Sequence, residues 1–142
     1  MTFKNAMRFA IALLAVTLTA IPLHAQTGPS RFDVPFAFLA GGQQMPAGQY
    51  AVAFDSTRHV VLRCQRAICG TSVPIAFDTD GADKTVASRG TLQFEKHGDL
   101  YVLRRVRTSD RPRFSELVQS KQELQAVAAI HDNVLLASID AR

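Results

Sequence analysis

Phe32, Val34, Phe36 and Phe38 alternate with Asp33, Pro35 and Ala37. A period of two is the mark of a half-buried strand, and it predicts one over residues 32–38. Pro35 has no amide proton for a ladder, so that strand belongs at a sheet edge. Tyr50, Val52 and Phe54 repeat the pattern. Met45-Pro46-Ala47-Gly48 before them predicts a turn, with Pro presetting φ at the second position and Gly free to take positive φ at the fourth. Asp55-Ser56-Thr57 then turns the chain into a pair of strands. Their inward residues are Val60, Leu62 and Cys64, then Cys69, Thr71, Val73, Ile75 and Phe77.

Further along, Leu92, Phe94 and Lys96 alternate with Thr91, Gln93, Glu95 and His97. Gly98-Asp99 is a suitable two-residue hairpin turn. It sets Phe94 opposite Leu103, Lys96 opposite Tyr101 and Arg104 opposite Gln93. The alternation breaks at Ser109-Asp110-Arg111-Pro112. Ser120-Lys121-Gln122-Glu123 is a capping box, in which the Ser side chain accepts from the third helical amide and the Glu reaches back. It predicts a helix over 121–130 with a narrow apolar stripe of Leu124, Val127 and Ala128. Asn133 ends that helix, and 134–139 read as a last strand. The sum is a mainly β chain, a small antiparallel barrel or sandwich of about 7–8 strands with one C-terminal helix.

The first residues have a different pattern. Lys4 and Arg8 precede an uncharged apolar run from Phe9 to Ile21, then Pro22 and a small residue at Ala25. Charge, apolar run and small residue in that order describe a secretory signal peptide over 1–25, cut after Ala25. The run is too short for a membrane span, which needs ~20 apolar residues, so no membrane anchor is expected after cleavage. Removing 1–25 from the 142-residue chain leaves 117 residues, 26–142, which make a single β-rich domain. The leader carries two of the 16 basic residues and no acid, so the rest holds 14 against 12, a net charge of +2. So small a charge gives no reason to expect nucleic acid as a partner. The expected location is the periplasm or the outside of the cell.

Cys64 and Cys69 are the only two cysteines. An even number in an exported chain reads as a disulfide. If 65–68 is a hairpin loop, Cys64 faces Cys69, Leu62 faces Thr71 and Val60 faces Val73, so both sulfurs share one side of adjacent strands. The spacing is not C-x-x-C, which argues against a redox pair. The four His, at 24, 59, 97 and 131, show no paired ligand spacing, so no metal site and no cofactor are expected. The acidic loop 78–84 superficially suggests calcium, but Arg89 stands where the loop would need its bidentate Glu.

Taken together, a leader, F-D-V-P-F-x-F (Phe32–Phe38), P-A-G-x-Y (Pro46–Tyr50) and L-x-F-x-x-x-G-D-x-Y-x-L (Leu92–Leu103) resemble a family of small, uncharacterised exported bacterial proteins. The resemblance spans most of 26–142. It implies a shared β fold and carries no activity, ligand or site residues.

Arg104, Arg105, Arg107, Arg111 and Arg113 crowd into ten residues. The planar guanidinium suits carboxylates and phosphates, so this run is a candidate anion-binding segment for an acidic glycan, phosphate or peptide carboxylate. The competing reading is a solvated strand end paired with Glu95, Asp110 or Glu116. No aromatic platform accompanies the run, a further argument against nucleic acid. His59 or His97 with Asp99 and a Ser could be drawn as a triad, but no G-x-S-x-G elbow is present. The chain therefore reads first as a non-enzymatic binding module for an envelope protein or polymer, with the edge strand 32–38 as one contact surface. A small barrel carrying an apolar or anionic ligand comes second, and a hydrolase last.

Overall fold

A computed structural model describes residues 28–79, 89–130 and 134–142. The expected leader over 1–25, most of the acidic loop and Asn133 lie outside them. Among the described residues, ten strands and one helix are arranged in the order β1 (Ser30–Val34), β2 (Phe38–Ala40), β3 (Gln43–Met45), β4 (Gly48–Phe54), β5 (His59–Cys64), β6 (Gly70–Thr79), β7 (Thr91–His97), β8 (Leu100–Thr108), β9 (Arg111–Leu117), α1 (Lys121–Ala128) and β10 (Val134–Asp140). The mainly β class with one late helix is as expected, with two or three more strands than the alternation revealed.

The sheet runs β1-β4-β5-β6-β9-β8-β2-β3, with β7 on β8 and β10 on β7. Strand β6 belongs to both halves. Its residues 70–74 pair with β5, and Ile75–Thr79 pair with β9. The chain makes the same crossing at Pro35. The strand expected over 32–38 is therefore two strands. Val34 ends β1 on β4, and Phe38 opens β2 beside β3 and β8. Pro35 cannot bond within a ladder and holds its predecessor extended, so the break falls there. β1 does stand at an edge of the sheet.

The inward residues of both halves meet in one core. Phe32, Val52, Leu62 and Val73 come from one half, and Phe38, Phe94, Leu103 and Val106 from the other. Phe38 meets Tyr50 and Phe94 edge-on, with ring centroids 5.4 and 5.2 Å away. Such contacts add to area burial because ring edges are positive and faces negative. Phe36, at the crossing, stacks on Tyr101 at 3.8 Å.

The cysteine hairpin has the expected register. Val60 pairs with Val73 and Leu62 with Thr71, and Cys64 donates its amide to the Cys69 carbonyl at 3.0 Å. Cys64 and Cys69 form a disulfide with their Cα atoms 5.3 Å apart. Closing so short a loop contributes about 2 kcal/mol in the chain-entropy account.

Two bulges overturn finer expectations. Between Ile75 and Phe77 the β6–β9 register slips by one residue. A one-residue slip reverses the facing of every later residue in the strand, and Phe77 is half exposed at 52% rather than inward. The β7–β8 ladder keeps Phe94 opposite Leu103 and Lys96 opposite Tyr101, then slips between Gln93 and Phe94. Arg105, not Arg104, therefore faces Gln93.

Helix α1 ends two residues short of the expected 130. Its capping box is complete: Glu123 N–H donates to Ser120 Oγ at 3.1 Å, and Ser120 N–H donates to a Glu123 carboxylate oxygen at 2.7 Å. The expected apolar stripe is not what docks it, since Leu124 is half exposed and Glu123 is the buried residue. The other Glu123 carboxylate oxygen accepts from Gly42 N–H at 3.2 Å, tying the helix start to the β2–β3 turn. Gly42 sits at φ 82°, and an added Cβ would lie 2.7 Å from Ser120 Oγ. The turn needs glycine there for both conformation and space.

Candidate functional site

The arginine run divides between β8, with Arg104, Arg105 and Arg107, and β9, with Arg111 and Arg113. Arg104 Nε lies 3.2 Å from Glu95 Oε1 as an ion pair, and its Nη2 donates to Glu116 Oε1 at 3.2 Å. Arg105 Nε donates to Glu116 Oε2 at 3.1 Å. Arg107 is buried. It donates to Thr91 Oγ1 at 3.0 Å and lies over the Phe114 ring at 4.6 Å. Arg111 approaches Asp78 at 3.8 Å and covers the Phe54 ring at 4.6 Å. Arg113 is exposed on β9. The β9 strand brings Glu116 beside two of the arginines, so much of the run's charge is answered within the fold. Four of its arginines make their contacts at separate points: Arg104 and Arg105 at Glu95 and Glu116, Arg107 at Thr91, and Arg111 at Asp78.

His97 is buried, with Nε2 3.5 Å from Glu95 Oε2. It extends the Glu95–Arg104–Glu116–Arg105 chain of charges across three strands. His59 instead opens β5, and in the turn before it Asp55 Oδ1 accepts from the amides of Thr57 and His59 at 2.9 and 2.8 Å. The Thr57 hydroxyl donates to Asp55 Oδ2 at 2.8 Å. These bonds, the hydroxyl's first and the His59 amide's next, hold the Asp55 carboxyl below its ordinary pKa. The two histidines thus serve different elements. Among the described residues no group of three or more His, Cys, Asp or Glu could hold a metal ion. No helix there is long and apolar enough to cross a membrane.

A more continuous feature lies where the two ends of the sheet come together. Arg142 N–H donates to the Arg31 carbonyl on β1 at 3.1 Å, and Ala141 N–H donates to the Gly90 carbonyl at 2.8 Å. β1 and β10 approach without a strand ladder between them. Three clefts run along this seam. The first, about 280 Å³, lies between the Pro46–Tyr50 turn and the Cys64–Cys69 loop, and includes Asp33, Gln49 and Arg66. The second, about 330 Å³, shares Asp33 and Gln49 with it and adds Arg31, Gln65 and Arg142. The third, about 340 Å³, shares Arg31 and Arg142 and adds Arg89, Ser30 and Ser109. Each cleft shares walls with the next, so the groove is a run of three adjoining clefts.

Among the described residues, four arginines line that groove against one acidic side chain, Asp33. Arg142 Nη2 holds Asp33 at 3.0 Å. Among the described residues Arg31, Arg66 and Arg89 have no acidic partner. Each is positioned by a feature of the sequence. Arg31 is an outward residue of the alternating β1, and Arg66 rides on the loop that the disulfide closes. Arg89 precedes Gly90, where an added Cβ would lie 2.9 Å from the Phe32 ring. Sequence reasoning missed this set because its members are far apart in the chain. Arg66, inside the C-x-x-x-x-C loop, was the only one carrying a local signal. Comparison with family models, curated proteins and solved structures returns no match.

Proposed function

We propose that this chain is exported to the periplasm or secreted, and acts there as a non-enzymatic binding module of the cell envelope. Its seam groove receives an anionic group of an envelope protein or polymer. The leader pattern over 1–25 supports export. The observation that carries the binding reading is the excess of guanidinium over carboxylate along the groove, with Arg31, Arg66 and Arg89 lacking acids among the described residues. Guanidinium groups that line a concave wall focus their field on it and attract anions more strongly than the same groups on an open surface. The candidate site thereby moves from the Arg104–Arg113 run to a surface assembled from four separate segments.

The test is a nuclear magnetic resonance titration with citrate, using protein produced from the full-length chain. Saturable shifts are expected at the amide of Arg31, which lines two of the three clefts, and at that of one neighbouring groove arginine, with citrate recovered unchanged. Arg31→Ala should weaken binding about tenfold, the loss of one charge-assisted hydrogen bond. Shifts confined to 104–113, or turnover of the anion, would overturn the reading. The intact mass of the same preparation reports whether 1–25 has been removed.

A further inference from the structure

We infer that the groove takes an extended acidic polysaccharide, one whose carboxylates recur along a hydroxyl-rich backbone. The inference rests on the groove being a binding site. Three features select this class. The cations are spread rather than focused: Arg66 is in the first cleft, Arg31 and Arg142 in the second, and Arg89 in the third. A single small anion would meet one or two of them, whereas a polymer with repeated charges meets all. Between the cations stand groups that answer hydroxyls, not charges. Gln49 and Gln65 offer amide donors and acceptors, Ser30 and Ser109 offer hydroxyls, and Asp33 is acceptor-only. Asp33 would repel a ligand made only of negative charge, but it accepts readily from a sugar hydroxyl while Arg142 holds it in place. Finally, the aromatic rings in the lining, Phe32 and Tyr50, are each 1% exposed. They give no face on which nucleic acid bases could stack.

Contacts strung along one chain act as linked sites, so each added sugar unit that reaches a new arginine raises affinity by effective concentration rather than by a new kind of contact. The experiment is isothermal titration of protein produced from the full-length chain with galacturonate oligomers, from monosaccharide to hexasaccharide. Oligoglutamate and linear polyphosphate of matched charge run in parallel. Affinity is expected to climb at least about tenfold from the shortest to the longest oligogalacturonate, and to exceed that for the other two polymers. Arg66→Ala and Arg89→Ala, at opposite ends of the groove, should each erase the gain from length while leaving the monosaccharide nearly unaffected. Arg105→Ala, outside the groove, should change nothing. Affinity independent of length, or a preference for oligoglutamate or polyphosphate, overturns the polysaccharide while leaving an anion site in the groove. Failure of all three polymers to bind overturns the binding reading as well.

Discussion

Tyr50 ties a sequence motif to a physical cause. Its ring is buried in the core, and its hydroxyl donates to the Pro46 carbonyl four residues upstream. P-A-G-x-Y is thus a turn and the latch that closes it. Proline directs the chain, and its carbonyl gives the hydroxyl of the buried tyrosine an acceptor. Tyr50→Phe should cost about 1 kcal/mol in urea unfolding, the net worth of one hydrogen bond with a partner left behind. Burial also raises the phenol's pKa. Above the unfolded value near ~10 the unfolded chain gives up this proton first, so stability falls as pH rises toward the folded value. Asp55 acts in the opposite range. Its folded pKa is lowered, so its contribution is present above the ordinary carboxylate value and fades as pH falls through the folded one. Urea midpoints measured across pH should decline at both ends, and Tyr50→Phe should flatten only the alkaline decline.

Among the elements, the hairpins were legible and the bulges were not. Alternation together with a short connection, two residues at Gly98-Asp99 and four at 65–68, decides which residues face each other, and Phe94–Leu103 and Val60–Val73 result. A bulge inserts one residue without altering local composition. The slips near Phe77 and Arg104 therefore left no mark in the periodicity. β9 went unread for a related reason: R-P-R-F-S-E-L lacks a clean apolar face, and it joins the sheet through pairing with β6 and β8. In α1 the capping box was legible to the residue, while the docking mode was not. Glu123 both caps the helix and accepts from Gly42, a partner 81 residues away. Glu123→Ala should destabilise by about 2–4 kcal/mol, because two amides lose their acceptor. Hydrogen exchange should quicken in 121–128 and at Gly42 together. Quickening in the helix alone would mean that the carboxylate is only a cap.

For the whole molecule, the decisive event is the crossing of the chain between the two halves of the sheet, at Pro35 and again along β6. These crossings bring β1 and β10 together and leave the seam where the groove lies. One backbone bond from 142, to Arg31, spans that seam, while 141 extends the β10–β7 ladder by one rung to Gly90. Truncation after Asp140 should therefore quicken exchange in β1 and cost about 1–3 kcal/mol for two lost bonds. The ladder between β8 and β9 should stay protected. Equal loosening throughout would show that the seam is not a separate unit of stability.

By itself, the sequence determined the mainly β class, the paired hairpins, the disulfide and the helix cap. Each depends on residues within a few positions of one another, where side-chain period, turn chemistry and ring closure act directly. Only the tertiary structure decided which strand lies beside which, where the ladders slip, and which arginines meet acids. Glu116 reaches Arg104 and Arg105 because β9 pairs with β8, while Arg31, Arg66, Arg89 and Arg142 line one groove because the ends of the sheet meet. Charge neutralisation depends on distance in space, and a linear chain does not record that distance.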